Sequence, residues 1–221
     1  MSKFSFVLVS VLALAGLSFT SAQAQDLDSA GLRASTLGYG AELGFKIIPT
    51  LSVRGIVNAG RFSGSYNSDS IHYAGKLNLA SQGLVLDFKP LPILPFYLSA
   101  GLYNNDNKAN ITGNINGPTT IGNNSYTAAQ IGTLGAKVTF NKLAQYYGVG
   151  ARMNILAAEL NLEAGAFVQQ DPKLVLTANG TLTGTAAFST DLATEQSKTQ
   201  SNLSDKLRVY PALTAALRVK F

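Results

Sequence analysis

The chain has 221 residues, of which 46% are apolar and only 13% are charged, and its formal net charge is +5. Soluble domains carry roughly 25% charged residues, yet a mean hydropathy of +0.15 is too low for a bundle of membrane helices. The chain has no cysteine and one histidine. These counts exclude disulfides, thiolate chemistry and zinc sites built from Cys and His.

The amino terminus has the pattern of a bacterial secretory signal peptide. Lys3 precedes an apolar run over residues 4–17, and the small-residue site Ala22-Gln23-Ala24 follows. We predict cleavage after Ala24, which leaves residues 25–221 as a single exported domain. Its mild basic excess contains no block of like charges, so no nucleic-acid partner is predicted.

Alternation of apolar and polar residues begins at residues 36–46, TLGYGAELGFK, and continues over residues 51–57. Side chains of a strand point alternately to its two faces, so each segment is predicted to be a strand with one apolar face. The turn at Pro49-Thr50 joins the two strands into a hairpin. A short additional strand is possible at residues 31–34.

The same period of two recurs along the rest of the chain. It shifts register near residues 81–83, where we predict a β-bulge. Polar stretches at 60–70 and 104–126 are predicted to be long loops. The further strand segments are residues 73–88, 96–103, 132–140, 145–153, 158–168, 174–178 and 209–221.

These nine segments predict an all-β fold, a closed antiparallel transmembrane β-barrel. Outer-membrane barrels have an even strand number, so the range is 8–10 strands; the segment at 31–34 favours ten, whereas two segments that do not span would give eight. A soluble, lipocalin-like barrel would show the same alternation. The face opposite the apolar one decides between them, because it is charged or small on every strand and suits a narrow, filled lumen. The predicted lumen-lining residues are Glu42, Arg54, Lys76, Lys137, Glu159 and Glu163.

The carboxyl-terminal segment differs in two ways. Residues 190–207 lack alternation and predict a short helix before the last strand. The last strand ends in an apolar register with Leu217, Val219 and Phe221, which resembles the signature read by the barrel assembly machinery of the outer membrane. Because the chain has no Trp, the interfacial aromatic girdle must consist of Tyr and Phe. Its predicted members are Tyr39, Phe45, Phe96, Tyr146, Tyr147 and Phe221.

Five blocks together resemble a mostly uncharacterised family of proteobacterial outer-membrane β-barrel proteins. The resemblance covers most of the mature chain and implies an integral barrel of the bacterial outer membrane, in contact with its lipid and without an agreed activity. The blocks are TLGYGAELGF (36–45), LNLASQGLVLDFKP (77–90), FYLSAGLYNND (96–106), NKLAQYYGVG (141–150) and RVYPALTAALRVKF (208–221).

Catalytic, cofactor and metal residues are not predicted at any position. His72 follows Ser65, Ser68, Asp69 and Ser70, but loops are rich in such residues and a triad needs hydrogen-bond geometry. Glu159 and Glu163 lie on one face of a strand roughly 13 Å apart, so ion pairs with lumen cations are the more natural role.

Three functions are compatible with the sequence. The expected one is a structural or surface-interaction barrel without catalysis, whose loops contact an unknown extracellular ligand. The alternatives are a small passive porin-like channel and, less favoured, a lipid-acting enzyme that uses His72.

Overall fold

The computed structural model describes residues 27–68 and 71–221. The predicted leader, residues 1–24, and Asp69 and Ser70 lie outside this part of the chain. Its elements in chain order are β1 (Leu27–Ser35), β2 (Gly38–Ile48), β3 (Leu51–Ser68), β4 (Ile71–Phe88), β5 (Phe96–Asn105), β6 (Lys108–Ile115), β7 (Thr119–Ile121), β8 (Asn124–Tyr126), α1 (Ala128–Ile131), β9 (Thr133–Thr139), β10 (Leu143–Ile155), β11 (Ala158–Gln169), β12 (Lys173–Ala178), α2 (Ala186–Leu207) and β13 (Val209–Lys220).

Eight of these strands close into an antiparallel barrel. Their order around the wall is β1, β2, β3, β4, β5, β10, β11 and β13. The first and last strands close the barrel, with Ser29 opposite Lys220 and Ser35 opposite Thr214. The predicted barrel fold is confirmed with eight strands, the lower end of the predicted range, and the preference for ten was wrong.

The strand count has a simple explanation. The short strand expected at residues 31–34 exists as part of β1. The segments at 132–140 and 174–178 also form strands, β9 and β12, but both lie outside the barrel wall. Alternation identified these two segments as strands, and it contains no information about which strands close a barrel.

β3 and β4 each have 18 residues and continue beyond the barrel on one side. There, the first half of β4 pairs with β6, β6 pairs with β9, and β9 pairs with β12. We call the five-stranded unit formed by β12, β9, β6 and the distal halves of β4 and β3 the extended sheet. It continues the barrel wall from two of the eight barrel strands, β3 and β4.

The long loops predicted at 60–70 and 104–126 are therefore largely wrong. Residues 60–68 belong to β3, and residues 108–115 form β6. Their Asn, Gly, Ser and Thr residues are typical of loops, but here they stand on the exposed face of a paired sheet, where polar side chains are equally suitable.

The predicted bulge near residues 81–83 is also wrong, because β3 and β4 pair without a break from Leu51 opposite Phe88 to Ser68 opposite Ile71. What changes is the face that carries the apolar side chains. Leu84 and Leu86 are exposed on the outer face of the barrel, whereas Leu79 is buried on the inner face. The apolar register of β4 shifts because its apolar side chains lie on the outer face within the barrel and on the inner face beyond it, while the strand itself stays regular.

The helix predicted at 190–207 is confirmed and longer, because α2 begins at Ala186. It lies against β12 and β7. Phe188 of α2 packs with Ile121, Tyr126 and Ile131 in a second apolar core, separate from the barrel. Neither helix in the described part of the chain is long and apolar enough to cross a membrane.

Candidate functional site in the barrel lumen

A layer of charged side chains fills the end of the lumen nearest the chain termini. Inward positions of successive strands supply the charges because inward and outward side chains alternate along each strand. Four arginines and four carboxylates form the layer, so their formal charges cancel. We call it the ionic layer; it comprises Arg33, Glu42, Arg54, Asp87, Arg152, Glu159, Glu163 and Arg218.

Arg54 is the centre of the ionic layer and has no exposed surface. Its Nε and Nη2 donate to the two carboxylate oxygens of Asp87 at 2.7 and 2.9 Å. Nη2 also lies 2.7 Å from Oε2 of Glu163, and Nη1 lies 3.3 Å from Oε2 of Glu42. One guanidinium therefore joins strands β2, β3, β4 and β11, and its fork geometry suits the bidentate contact with Asp87.

A second set of ion pairs lies closer to the chain termini. Arg218 places Nε 3.3 Å from Glu42 Oε1 and Nη1 3.2 Å from Glu159 Oε1. Lys220, which is half exposed at the rim, lies 2.5 Å from the other oxygen of Glu159. Arg33 contacts Glu42 at 3.3 Å and donates to Thr214 Oγ1 at 2.9 Å. These contacts tie β13 to β1, β2 and β11.

Tyrosines lie between the charges and add hydrogen bonds to Glu163. The Tyr97 hydroxyl lies 2.6 Å from both Glu163 Oε2 and Asn161 Oδ1, and Tyr146 donates to Glu163 from the other side. The guanidinium of Arg152 lies 4.2 Å from the centre of the Tyr97 ring, within the range of a cation–π contact. Arg152 also pairs with Asp87.

β5 contributes no charged side chain to the ionic layer. Two polar side chains of β5, Tyr97 and Ser99, take part instead, and Ser99 donates to Asp87 at 2.8 Å. All eight barrel strands therefore take part in one connected polar network. A charge buried without a partner costs several kcal/mol, so such a network favours one closed arrangement of the strands.

An apolar plug lies beyond the ionic layer, toward the extended sheet. Tyr103 is at its centre, with ring centroids 5.9 Å from Tyr146 and 5.3 Å from Phe167. Leu37, from the turn between β1 and β2, is buried in it. Inward glycines make room for the rings: a Cβ on Gly83 would lie 2.6 Å from the Tyr103 ring. The lumen is thus filled at two successive levels.

The structure brings four of the six predicted lumen-lining residues together in the ionic layer: Glu42, Arg54, Glu159 and Glu163. Lys76 and Lys137 lie elsewhere, exposed on the outer face of the extended sheet. Glu159 and Glu163 each pair with arginines rather than with each other.

Sequence reasoning missed four charged members of the layer. Asp87 and Arg152 lie in segments whose register the sequence left ambiguous, and Arg218 was read within an apolar run. Arg33 lies in the short β1 segment. Their common signal is a charge directly adjacent to an exposed apolar side chain of the same strand, which places the charge on the inward face. The missed members are Arg33, Asp87, Arg152 and Arg218.

The remaining residues singled out in the sequence have separate places. His72 lies at the far end of β4, remote from the ionic layer, and its Nδ1 contacts Asn67. Leu217 and Val219 are exposed on the outer face of β13, and Phe221 follows the strand. Tyr146, which we expected in the aromatic girdle, is buried in the lumen, whereas Tyr39, Phe96 and Tyr147 are exposed.

A second polar cluster holds α2 in place outside the barrel. Asp191 accepts hydrogen bonds from Tyr126 at 2.5 Å and from Asn124 at 2.7 Å. These bonds lower the pKa of Asp191 below its usual range, and the same contact raises the pKa of Tyr126. No group of three or more acidic or histidine side chains placed to hold a metal occurs in residues 27–68 and 71–221.

Side chains of α2 also cover the open edge of β12. Gln196 accepts the backbone N–H of Leu176 at 2.9 Å, and Gln200 accepts that of Leu174 at 2.7 Å. Unpaired edge strands invite pairing with other chains, and the two glutamines satisfy this edge from within the molecule.

Comparison with known proteins gives matches among solved structures only. No protein-family model matches the chain, and no curated protein matches it. The crystal structure of CarO from Acinetobacter baumannii is similar with a TM-score of 0.64 and 20% identity, over 88% of this chain and 98% of that one. The crystal structure of CarO2 from the same organism gives a TM-score of 0.66 with the same identity and coverage. At this identity the likeness establishes a shared fold and nothing about function.

Proposed function

We propose that this protein is an integral β-barrel of the bacterial outer membrane with a structural or surface-interaction role and no catalytic activity. The observation that carries the proposal is the exchange of faces along β4. Within the barrel, Leu84, Leu86 and Phe88 point outward and are exposed to 67%, 49% and 47%. Beyond it, the apolar side chains of the same strand point inward. Outward apolar side chains are favourable in a lipid bilayer, and inward apolar side chains are favourable in water. The change of faces along β4 therefore fits a strand that passes from a bilayer into water.

The outer surface of the barrel supports the same proposal on its other strands. Leu32 on β1, Leu98 on β5, Val149 on β10 and Leu213 on β13 are all more than half exposed. An apolar surface that surrounds the barrel is far larger than the patches that soluble monomers expose. Such an apolar band around the barrel suits contact with the hydrocarbon chains of a bilayer.

The filled lumen favours a structural role over a channel. Ion pairs and the tyrosines beside them cross the lumen at the level of the ionic layer, and the Tyr103 plug fills the next level. Eight-stranded barrels have an interior just wide enough for side chains. We therefore expect no steady passage of ions.

The extended sheet and α2 are the parts available for surface interactions. Both chain termini of the described structure lie at the opposite end, where the Phe221 N–H donates to the Asp28 carbonyl at 3.1 Å. In outer-membrane barrels the longer connections face the medium. The extended sheet would accordingly face outward, while Leu217, Val219 and Phe221 would serve the barrel assembly machinery during insertion.

The first experiment is gel mobility of the membrane-extracted protein in SDS, with and without boiling, on separated outer-membrane and periplasmic fractions. We expect a heat-dependent shift in the outer-membrane fraction, because the closed barrel resists cold SDS. A soluble periplasmic protein without a shift would overturn the proposal and indicate that the exposed leucines are covered in another way.

Two further measurements separate the alternatives. Reconstitution in planar bilayers should give negligible conductance, and a stable ohmic pore would establish the channel instead. The His72→Ala variant should leave the lipid composition of the outer membrane unchanged; an altered composition would favour the lipid-acting enzyme.

A further inference from the structure

The outer face of the extended sheet carries one cation from each of its five strands. Arg61 lies on β3, Lys76 on β4, Lys108 on β6, Lys137 on β9 and Lys173 on β12, and all are exposed. We call these five residues the cationic row. They include Lys76 and Lys137, which the sequence predicts in the lumen. In the structure these two lysines belong to an exposed surface of the extended sheet.

Strand register places the five side chains on one face in two neighbouring lines. Arg61, Asn78, Lys108, Thr139 and Lys173 are successive partners across the sheet. Ser63, Lys76, Asn110, Lys137 and Val175 form the adjacent line. Directly paired residues share a face, and neighbouring strands are about 4.8 Å apart. Lys76 and Lys137 are two strands apart, so their Cα atoms are roughly 10 Å apart and their long side chains can reach one shared anion.

Little negative charge opposes the cationic row. The described residues of the five strand segments include no Asp or Glu. Asp106, in the connection before β6, lies 3.9 Å from Lys108, and both of these side chains are about half exposed. In the ionic layer every arginine has a carboxylate, whereas this surface concentrates like charge and leaves it available to a partner.

The height of the cationic row identifies the chemistry of that partner. The outer face of β3 reads Leu51, Val53, Gly55, Val57 and Ala59 before Arg61. Ten residues at about 3.3 Å each, on a strand tilted by about 40°, climb about 25 Å, which is the height of the apolar band of an outer-membrane barrel. The first cations thus follow directly after the lipid-facing band, on the same face of the wall.

We propose that the cationic row binds the phosphate groups of lipid headgroups in the outer leaflet. The inference rests on the proposed membrane location and adds a ligand class to it. Arginine and lysine are the side chains that recognise phosphate, and their position on the lipid side of the wall, next to the apolar band, selects a lipid over an anion free in the medium. Ser63, Asn78 and Asn110 lie in the same two lines and supply further hydrogen-bonding groups.

The test uses the folded, detergent-solubilised full-length mature protein, titrated with bis-phosphorylated lipid A and with the same lipid after removal of its phosphates. Native mass spectrometry measures the bound lipid. We expect binding that depends on the phosphates and that the double variant Lys76→Gln/Lys137→Gln weakens by roughly thirtyfold, since each lysine near an anionic lipid surface contributes about a fivefold factor.

The matched control is Lys46→Gln/Lys206→Gln, which removes the same charge from exposed positions on the β2–β3 end of the barrel and on α2. It should bind as the original protein does. Equal binding of both lipids, or equal losses in both double variants, would overturn the inference. So would displacement by inorganic phosphate at equal concentration, or equal affinity for a single-stranded oligonucleotide.

Gel mobility before and after boiling is recorded for each variant. A heat shift that persists while lipid selectivity is missing refutes the cationic row alone. Absence of the shift in the original protein refutes the proposed barrel location itself, so the two failures are distinguishable.

Discussion

Arg54 and Glu163 lie on opposite sides of the barrel, four strands apart in either direction around the wall, yet Arg54 Nη2 is 2.7 Å from Glu163 Oε2. The pair spans the lumen directly. Both side chains are buried and each has further hydrogen-bond partners. This ion pair therefore links β3 and β11 across the lumen.

Replacing Arg54 with Met should destabilise the barrel by about 3–5 kcal/mol, because the carboxylates of Asp87 and Glu163 lose a buried partner. Urea unfolding in lipid vesicles measures the change. Lys206→Met, at an exposed position of α2 outside the cationic row, should alter the free energy of unfolding by no more than about 0.5 kcal/mol. Equal stability of the two variants would show that the ionic layer does not hold the barrel closed.

Gly83→Ala should destabilise the barrel by about 1–3 kcal/mol through overpacking. The added Cβ would lie 2.6 Å from the Tyr103 ring, which is itself held between Tyr146 and Phe167. Gly55→Ala on the outer face is the control, since no heavy atom lies within 4 Å of its added Cβ. Thermal loss of the heat-modifiable band reports both variants, and a Gly83→Ala band as durable as the Gly55→Ala band would contradict the tight packing of the plug.

Removal of the glutamines that cover β12 should loosen that edge without unfolding the barrel. In Gln196→Ala/Gln200→Ala, the amides of Leu174 and Leu176 lose their acceptors, and we expect their hydrogen exchange to accelerate by up to about tenfold. Ser197→Ala is the control, because its hydroxyl bonds only within α2, to the Ala193 carbonyl. Unchanged exchange at both leucines would show that the two side chains do not protect the edge.

Acid should loosen the contact between α2 and the β7–β8 hairpin. The lowered pKa of Asp191 means that its contribution is complete above the ordinary Asp pKa of about 3.9 and is lost as the pH falls through the lower folded-state value. NMR of the Ile121 methyl group in detergent micelles should follow this loss. Asp191→Asn should remove the acid step, whereas Asp205→Asn, at an exposed position of α2, should retain it.

The sequence predicts the barrel because its alternation is a property of single strands. Residues 36–46 show it clearly, and β2 occupies nearly the same range. The count of barrel strands depends on pairing instead: β9 alternates as regularly as β10, but its partners are β6 and β12. The alternation within one strand does not indicate which strands pair with it.

The ionic layer is predictable only in part for a related reason. Glu42 and Arg54 stand opposite clear apolar neighbours, so their inward direction can be read from the strand. Lys76 has the same local appearance, yet it lies where β4 has passed beyond the barrel and the outer face is polar. A lysine on an alternating strand is therefore ambiguous until its height along the wall is known.

Closure of the barrel joins the two ends of the described chain, since Leu32 on β1 stands opposite Leu217 on β13. The extended sheet and α2 are encoded before β13, in the connections that precede it. During synthesis, the pairing of β1 with β13 therefore cannot form until β6, β9, β12 and α2 have been made. The order of the elements along the chain thus makes closure of the wall the last pairing that synthesis allows, after every strand of the extended sheet is available.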